Sequence, residues 1–446
     1  LVIYNYAQKL DSNEMKIKML KLLYKLNISC KNELEAANAL VQLLGLFKCN
    51  NEKLSKQFLN FKAKYGRELH AELLFKIVDL FMSQDHDEYA LTYLNQIIDT
   101  CVKPFQNVEL MIKITDLQAK IYEKIVSLSR SIPMYFRIAF YGNGFDELIK
   151  NKAFIYRYSS SMNTGNVISE MKSKYPDADV DSGEKPTKEE LKKQDNKYIR
   201  ISPVFVSSNE EIKDKYYQHD FKKQRYIATF EENNKPLIFR SEKTQVSNEK
   251  HVAANVNDFT WQQKFYQIDQ PFPSMKRRHL IIKEFPERIL NPIEISTLTT
   301  IRKNHQLLLD CYWVQDQYEV RGKIPNNDTL MRLTGIVNSQ IKSLINGTSN
   351  RYCCSYLEPQ YINNNPKYLK SIKELKDSIQ QQYEITNKCS QFILSFENDQ
   401  LKESNKNIQE SLTQMKEVLK IYISIPEEQT EKQISEIGRA SCRERV

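Results

Sequence analysis

The chain has 446 residues, of which 41% are hydrophobic and 27% charged, the balance of a folded protein of about two to four domains. Its net charge of +9 is mild for this length and forms no dense basic stripe with interleaved aromatic residues, so no nucleic-acid partner is predicted. The apolar runs are too short to cross a bilayer, and the eight cysteines contain no C-x-x-C motif, which predicts reduced thiols rather than a zinc site.

Residues 1–130 carry the apolar spacing of amphipathic helices. Leu20, Leu23 and Leu26 repeat at three-residue steps, and a second stripe follows over Leu34–Leu44. Helices of this kind predict an antiparallel helical lobe that resembles tetratricopeptide packing, although no strict repeat is present. Three further helices are predicted over Leu69–Met82, Glu88–Cys101 and Leu110–Leu128.

The period changes between residues 131 and 286, where short segments rich in aromatic and β-branched residues are separated by polar, Pro, Gly or Asn breaks. In Tyr198–Ile201, polar and apolar side chains alternate, as in a strand with one buried face. The region predicts a β-rich lobe of antiparallel strands. The predicted strands are Tyr135–Phe140, Phe154–Tyr158, Tyr198–Val206, Tyr226–Phe230, Leu237–Arg240, Phe259–Phe265 and His279–Ile282.

Two segments between the predicted strands are polar or rich in glycine. Gly142-Asn143-Gly144 lacks a third glycine at the dinucleotide-binding spacing and a following Gly-Lys-Ser/Thr, so it predicts a turn between strands rather than a phosphate loop. The stretch Ser173–Lys197 is polar and strongly charged. Such a segment cannot bury much apolar surface, which predicts a mobile loop.

Residues 287–435 return to the helical period. Asn291 is predicted to cap a helix that begins at Pro292, with Glu294 bonding back to the cap amide. Apolar residues then recur at steps of three and four, which predicts a helical bundle. The predicted stripes are Ile295, Leu298, Ile301 and Leu308; Leu330, Leu333 and Val337, with Asp328 as the cap; Leu369, Ile372, Ile379 and Tyr383; and Ile408, Leu412, Met415, Leu419 and Tyr422. The chain is therefore predicted to be an α+β, mostly helical protein with three lobes: 1–130, 131–286 and 287–435.

The last eleven residues, 436–446, read EIGRASCRERV and resemble the translation of a sequencing adapter. We exclude this tail from fold reasoning and expect the chain to be a fragment, since it begins at Leu1 rather than at a methionine.

The order of these lobes resembles the catalytic domain of the DOCK-family guanine nucleotide exchange factors, the DOCK homology region two or DOCKER domain. Pro133–Arg157, PMYFRIAFYGNGFDELIKNKAFIYR, is similar to a strand-turn-strand block of that family, and Met331–Ile341, MRLTGIVNSQI, to its catalytic helix. Further similar segments follow in the family's order. They are Leu117–Val126, Lys197–Val204, Asn255–Phe259, Lys276–Pro286 and Leu290–Ile295.

The resemblance implies a protein that accelerates GDP/GTP exchange on a Rho-family GTPase without covalent chemistry. The GTPase would dock between the strand lobe and the bundle, and an apolar residue of a bundle helix would displace the magnesium ion that neutralises the phosphates of bound GDP. No cofactor of the chain's own is implied, because the magnesium and the GDP belong to the GTPase.

The resemblance also assigns site residues. Gly335, Ile336, Val337 and Asn338 match the break in the family's catalytic helix, and Ile341 falls at the apolar position that senses the nucleotide. The GTPase contacts it implies are Arg332, Leu333 and Lys342. Residues Lys342–Gly347 depart from the family, which usually has a short glycine pair there.

A Rac-like GTPase is favoured because NKAFIYR, YPDAD and MRLTGIV look nearer to the Rac-directed branches of the family, whereas KRRHLI and LNPIEI look nearer to the sister branches. The resemblance further implies a homodimer formed through residues 1–130. It predicts a cytoplasmic protein that would contact membrane only through upstream family domains, with recruitment to the plasma membrane left open.

Two alternatives remain. A non-catalytic DOCK-like scaffold that binds a GTPase is favoured by the divergent residues Lys342–Gly347. A helical-repeat adaptor is the other, and the strand region argues against it.

Overall fold

The computed structural model describes residues 9, 12–54, 57–127, 133–183, 186–192, 196–207, 235–246, 259–319, 322, 324–396 and 402–425. The predicted strand at Tyr226–Phe230 and the adapter-like tail at 436–446 lie outside these residues. Within them the chain is α+β and mostly helical, as predicted. None of the helices in this part of the chain has the length and apolar content needed to cross a membrane.

Two compact units divide the chain. The first consists of Leu1–Lys243 and Gln262–Arg288, and the second of Thr244–Trp261 and Ile289–Val446. The N-terminal helices and most of the sheet lie in the first unit. The division into three lobes stays a prediction.

Within the described residues, five α-helices from Asn13 onward precede the sheet, and each packs against the next through its apolar stripe. Ser12 begins the first helix by accepting a hydrogen bond from the Met15 amide at 3.3 Å. The helix predicted to reach Cys101 ends at Ile97, and a π-helical turn, Ile98–Val102, follows it. The five helices are α1 (Asn13–Ser29), α2 (Glu33–Leu44), α3 (Gly66–Ser83), α4 (Asp87–Ile97) and α5 (Val108–Ser127).

The strands form one sheet, and every predicted strand within the described residues is present. The strands are β1 (Met134–Tyr141), β2 (Ala153–Tyr158), β3 (Asp179–Asp181), β4 (Tyr198–Val206), β5 (Ile238–Val246), β6 (Phe259–Ile268), β7 (Arg278–Glu284) and β8 (Arg288–Leu290). Seven of them follow the order β1-β2-β7-β6-β5-β4-β3, and β1 also pairs with β4. Six strands therefore close into a ring.

Helix α6 (Thr164–Lys174) covers one face of this sheet in the first unit. Its Val167 and Met171 pack into a core with Phe136, Phe140 and other buried side chains of β1, β2 and β4. Alternation of side chains along β1 sends Tyr135 to the opposite face, where it packs in a second core. The strand positions thus follow from the aromatic residues that the sequence places at every second position.

The turn after β1 has the strand-connecting role predicted for it. Gly142 has φ +111°, a conformation that residues with a Cβ rarely adopt. A Cβ at this position would lie 1.9 Å from the Asn196 carbonyl oxygen. The Gly142 amide donates a hydrogen bond to Asn151 Oδ1 at 3.2 Å, which ties the turn to the residues before β2.

The prediction of a mobile loop at Ser173–Lys197 is wrong for much of its length. The segment contains β3 and a short helix, α7 (Lys188–Lys192). Val180 in β3 is buried, and Arg200 Nη2 in β4 lies 2.9 Å from Asp179 Oδ2. Because β3 runs parallel to β4, the lobe is not wholly antiparallel as predicted.

The second unit is helical beyond β8. Its first helix begins as predicted: Asn291 Oδ1 accepts from the Ile293 and Glu294 amides at 2.9 and 3.0 Å, and Glu294 Oε2 accepts from the Asn291 amide at 2.9 Å. The helices are α8 (Pro292–Glu319), α9 (Asn327–Ile345), α10 (Thr348–Tyr352), α11 (Pro359–Asn364), α12 (Leu369–Leu394) and α13 (Lys402–Leu419).

Three details of these helices differ from the prediction. The cap of α9 is Asn326, which accepts from the Thr329 amide at 2.9 Å, and Asp328 lies inside the first turn. Tyr422 lies beyond the end of α13. On α8, Leu298 and Ile301 are only half-buried, whereas polar residues that the apolar pattern omitted are buried. Those residues are Ser296, Thr297, Thr300 and Asn304.

Candidate functional site

Helix α9 carries all the residues assigned to the predicted site. Its buried side chains recur at steps of three and four, which gives the helix one apolar face against α12 and α13. Asn326 and the acidic Asp328 stabilise its N-terminus, where backbone amides lack helical partners. The apolar residues of the buried face are Leu330, Leu333, Val337, Ile341 and Leu344.

The predicted break at Gly335–Asn338 is wrong for this structure, because α9 runs unbroken from Asn327 to Ile345. A single glycine within a helix costs only about 1 kcal/mol relative to alanine. Burial of Val337 and Ile341 on the apolar face outweighs that cost, since each buried aliphatic side chain contributes about 1.5–3 kcal/mol. The helix therefore continues through the glycine.

Continuity of the helix separates the predicted site residues onto two faces. Leu333, Val337 and Ile341 are buried, and Ile341 is only 1% exposed. Ile336 and Asn338 are half-buried at the flanks. The opposite side, which we name the outer face of α9, is solvent-exposed and consists of Met331, Arg332, Gly335, Ser339 and Lys342.

The outer face carries a positively charged side chain at each end and only small side chains in the middle. Arg332 and Lys342 are ten residues apart, which corresponds to roughly 15 Å along a helix axis. Between them, Gly335 and Ser339 present almost no side-chain bulk, and an added Cβ at Gly335 would meet no atom within 4 Å. The surface can therefore admit a partner's backbone closely while two positive charges face acidic groups beside it.

The helix ends sharply at Ile345, seven residues after the last residue of the predicted break. Asn346 and Gly347 both donate backbone hydrogen bonds to the Lys342 carbonyl, at 3.1 and 3.0 Å. A Cβ on Gly347 would lie 2.7 Å from Ser343 Cα, so only glycine allows this close turn without a backbone shift. The divergent segment Lys342–Gly347 thus forms the last helical turn and its termination.

A buried polar network fixes the turn of α9 that carries Ile341. Gln340 Oε1 accepts from Gln382 Nε2 of α12 at 2.8 Å, and Gln382 Oε1 accepts from Ser349 Oγ at 2.8 Å. Ser349 Oγ is in turn 3.1 Å from Ser343 Oγ. Gln382 and Ser349 are fully buried, so these hydrogen bonds offset the cost of removing polar groups from water. Breaking the network would loosen the end of α9 from α12.

The amine of Lys303 on α8 approaches the same network. Its Nζ lies 3.5 Å from Ser343 Oγ, and burial lowers the pKa of Lys303 below its ordinary value. The residues assigned from the resemblance do not include the buried polar network or Lys303. They also omit Met331 and Ser339 on the outer face. The glutamine and serine positions carry no periodic signal that sequence reasoning could have used.

The described residues contain no cluster of three or more side chains that could hold a metal ion.

No protein-family model matches the chain. Individual curated proteins do match it. Human dedicator of cytokinesis protein 3 is 21% identical over 394 residues, covering 85% of this chain and 18% of that protein. Human dedicator of cytokinesis protein 4 is 22% identical over 382 residues, covering 85% and 19%. DOCK-like protein 1 of Saccharomyces cerevisiae is 23% identical over 370 residues, covering 80% and 18%.

The chain is similar to DOCK-family proteins along most of its length. Matches over at least 80% of its length include relatives from a yeast and from mammals, so the similarity is not confined to one motif. The chain spans less than a fifth of the length of the curated relatives it matches.

Proposed function

We propose that the chain acts as the catalytic, DOCKER-type region of a guanine nucleotide exchange factor for a Rho-family GTPase. The observation that carries the proposal is the relationship to DOCK-family proteins along at least 80% of the chain. The outer face of α9 supports it, because an exposed cationic surface lies on the helix that resembles the family's catalytic helix.

The exchange step would use both faces of α9. Arg332 and Lys342 on the outer face contact acidic groups of the GTPase, and Gly335 and Ser339 allow close approach. Cations placed near the magnesium of bound GDP weaken the hold on that ion by repulsion. A thousandfold acceleration of GDP release needs only about 4 kcal/mol off the barrier.

Ile341 is the proposed nucleotide sensor, and its burial sets a condition on that role. The side chain can reach a bound GTPase only if the last turns of α9 open between Gly335 and Asn338. Exposing one isoleucine costs about 1.5–3 kcal/mol, which contacts with the GTPase must offset. Opening would therefore accompany GTPase binding, as the ligand shifts an equilibrium between two helix conformations.

Specificity and assembly form part of the same proposal. We favour a Rac-like GTPase on the similarity of Lys150–Arg157, Tyr175–Asp179 and Met331–Val337 to the Rac-directed branches. Homodimerisation through the N-terminal helices is supported by an apolar stripe on the exposed side of α5. A protein that works on such GTPases would be cytoplasmic.

The non-catalytic scaffold is the second candidate. The observation that favours it is the unbroken α9, which holds Ile341 in the core of the second unit. The adaptor built only from helical repeats is excluded by the sheet of eight strands.

Release of fluorescent GDP from a panel of Rho-family GTPases, measured with and without the chain, separates these functions. Acceleration on any member supports the exchange factor. Binding without acceleration, measured by calorimetry, selects the scaffold, and the absence of both overturns the two candidates together.

The sensor role needs a variant pair, because Ile341→Ala also leaves a core cavity that costs about 2–5 kcal/mol. Leu344→Ala is the matched control, since Leu344 is equally buried on the same helix. At a temperature where both variants are folded, we expect Ile341→Ala to slow GDP release much more than Leu344→Ala. Equal effects would assign the loss to the weakened core and remove Ile341 from the exchange step.

A further inference from the structure

Two cysteines far apart in the sequence meet in the N-terminal helical part of the first unit. Cys49 Sγ lies 3.8 Å from Cys101 Sγ, although 52 positions separate them. Cys49 follows α2, and Cys101 lies in the π-helical turn after α4. Both cysteines of the pair are free thiols in the structure, as are the other described cysteines.

The surroundings orient the two thiols toward each other. Cys49 Sγ donates to the Thr100 carbonyl at 3.4 Å, and Thr100 Oγ1 lies 3.4 Å from Cys101 Sγ. In the wide π-helical turn, the Thr100 carbonyl and the Cys101 side chain both face Cys49. In a regular α-helix, successive residues point about 100° apart around the axis. Cys49 is therefore held beside Cys101 by a second contact, independent of the sulfur pair.

The two thiols differ in access. Cys49 is half-buried, whereas Cys101 is 5% exposed. Burial, offset in part by the Thr100 hydroxyl, raises the pKa of Cys101 to about 11. A small oxidant reaches Cys49 first, and Cys101 is placed to react in the second step.

We propose that Cys49 and Cys101 form a reversible disulfide when the protein meets a peroxide. In the first step the Cys49 thiol takes one oxygen from hydrogen peroxide, giving a sulfenic acid and water. In the second, Cys101 sulfur attacks the Cys49 sulfur, and the hydroxyl leaves as water with the thiol proton. The peroxide gains the two electrons that the two thiols lose, and a dithiol reductant reverses the reaction.

The bond would anchor the segment between α2 and α3 to the end of α4. That segment doubles back directly after Cys49: the Arg67 amide donates to the Asn50 carbonyl at 2.7 Å and the Leu54 amide to the Lys64 carbonyl at 2.8 Å. Its lysines, with Leu54 and Phe61, line an open pocket of about 270 Å³. Oxidation would fix the base of this segment to the helical core.

Peptide mass spectrometry of the full chain tests the proposal. After mild hydrogen peroxide and alkylation of the remaining thiols, we expect a peptide that links Cys49 to Cys101 and disappears with dithiothreitol. Cys49→Ser should abolish the link, while Cys354→Ser, which removes an exposed thiol elsewhere, should leave it intact. Oxidation of the exposed Cys30 with Cys49 and Cys101 both left as thiols would overturn the proposal.

Thermal unfolding of the oxidised and reduced wild-type chain gives a second readout. A cross-link closing so long a loop should raise the Tm of the oxidised wild-type chain by about 5–10 °C relative to the reduced chain. The shift should vanish in Cys49→Ser. A linked peptide without such a shift would show that the bond forms only in unfolded molecules, which contradicts the proposal.

Discussion

Gly335 is the residue at which the proposed opening of α9 would begin. It lies on the exposed face of α9, where a Cβ would meet nothing. The helix tolerates it because neighbouring side chains on the opposite face are buried. The same glycine makes this the weakest point of α9 and the place where the helix would open to release Ile341.

Gly335→Ala tests whether α9 must open. Alanine should stabilise the fold by about 0.5–1 kcal/mol, because it favours the helix and restricts the unfolded chain. If exchange requires opening at this point, the same energy adds to the barrier and slows GDP release by about two- to fivefold. Urea unfolding and fluorescent GDP release measure the two effects. A more stable variant with unchanged GDP release would show that α9 acts as a closed helix.

His279 makes stability depend on pH. Its Nδ1 lies 2.8 Å from Asp269 Oδ1 and its Nε2 lies 2.7 Å from Ser274 Oγ. An ionised carboxylate can only accept, so the neutral ring donates from Nδ1 to Asp269 and accepts from Ser274. Burial lowers the pKa of His279 below its ordinary value of 6.5, although Asp269 acts in the opposite direction.

Because the folded state holds this ring neutral, the unfolded chain binds the proton more readily as the pH falls. The contribution of His279 to the free energy of unfolding is therefore complete above pH 6.5. Below that pH it decreases by at most about 1.4 kcal/mol per pH unit. We expect the free energy of unfolding to fall between pH 7 and pH 5, and to fall less in His279→Gln. An identical pH dependence in the variant would contradict this reading; His70, whose pKa burial also lowers, supplies a background common to both proteins.

At the scale of elements, α5 carries apolar side chains on two sides. Ile114 and Ile121 are fully buried in the helical core, while Val108, Ile112 and Tyr122 are more than half exposed. A helix with a second apolar stripe is suited to packing against another surface. In the proposed homodimer, this stripe would pack against a second copy of the chain.

Ile112→Glu tests this assignment. A charge in the middle of the stripe should convert the dimer to a monomer, since a buried carboxylate without a partner is strongly unfavourable. Light scattering after size-exclusion chromatography measures the mass. The control is Lys120→Gln at an exposed position of the same helix, which lowers the net charge by one, as Ile112→Glu does. A wild-type chain that is monomeric at high concentration, or a dimer that survives Ile112→Glu, would reject the α5 interface.

The elements also show how far sequence reasoning reaches. Tyr198–Val206 is a strand with the bounds predicted, because its alternating side chains record one buried face. The charge of Ser173–Lys197 concealed β3, whose burial rests on Val180 alone. On α8, Asn304 Nδ2 donates to the Ser378 carbonyl of α12 at 2.8 Å. This polar residue is buried because its hydrogen-bond partner lies far along the chain, which the local apolar pattern does not reveal.

The helix that carries the predicted site residues is present without the predicted break, and the site itself stays a prediction. Resemblance located Met331–Ile341, but it carried over a helix break that the apolar spacing of this chain does not produce. The pattern of Leu333, Val337 and Ile341 already favoured a continuous helix. The polar network around Gln382 depends on tertiary contacts and could not be read from the sequence.

For the molecule as a whole, a DOCK-family relationship, a closed ring of strands and a helical unit with a cationic outer helix face converge on one proposal. The chain would bind a Rho-family GTPase through the outer face of α9 and speed the loss of its GDP. No reacting group of its own is needed, because the work is done by contact and charge. The proposed binding of the GTPase depends on the exposed Arg332 and Lys342, whereas the proposed sensor role depends on the buried Ile341.

The most direct measurement is GDP release from the Rho-family GTPase that responds best to the wild-type chain, repeated with the double variant Arg332→Glu, Lys342→Glu. Each charge-assisted hydrogen bond to a partner is worth about 1.5–3 kcal/mol, so we predict a loss of at least tenfold in exchange efficiency without a change in Tm. The control is Lys373→Glu, Lys376→Glu, which reverses two exposed charges on α12 and should exchange like the wild type. Full activity of the α9 double variant, or a wild-type chain that accelerates no member of the panel, would contradict the account.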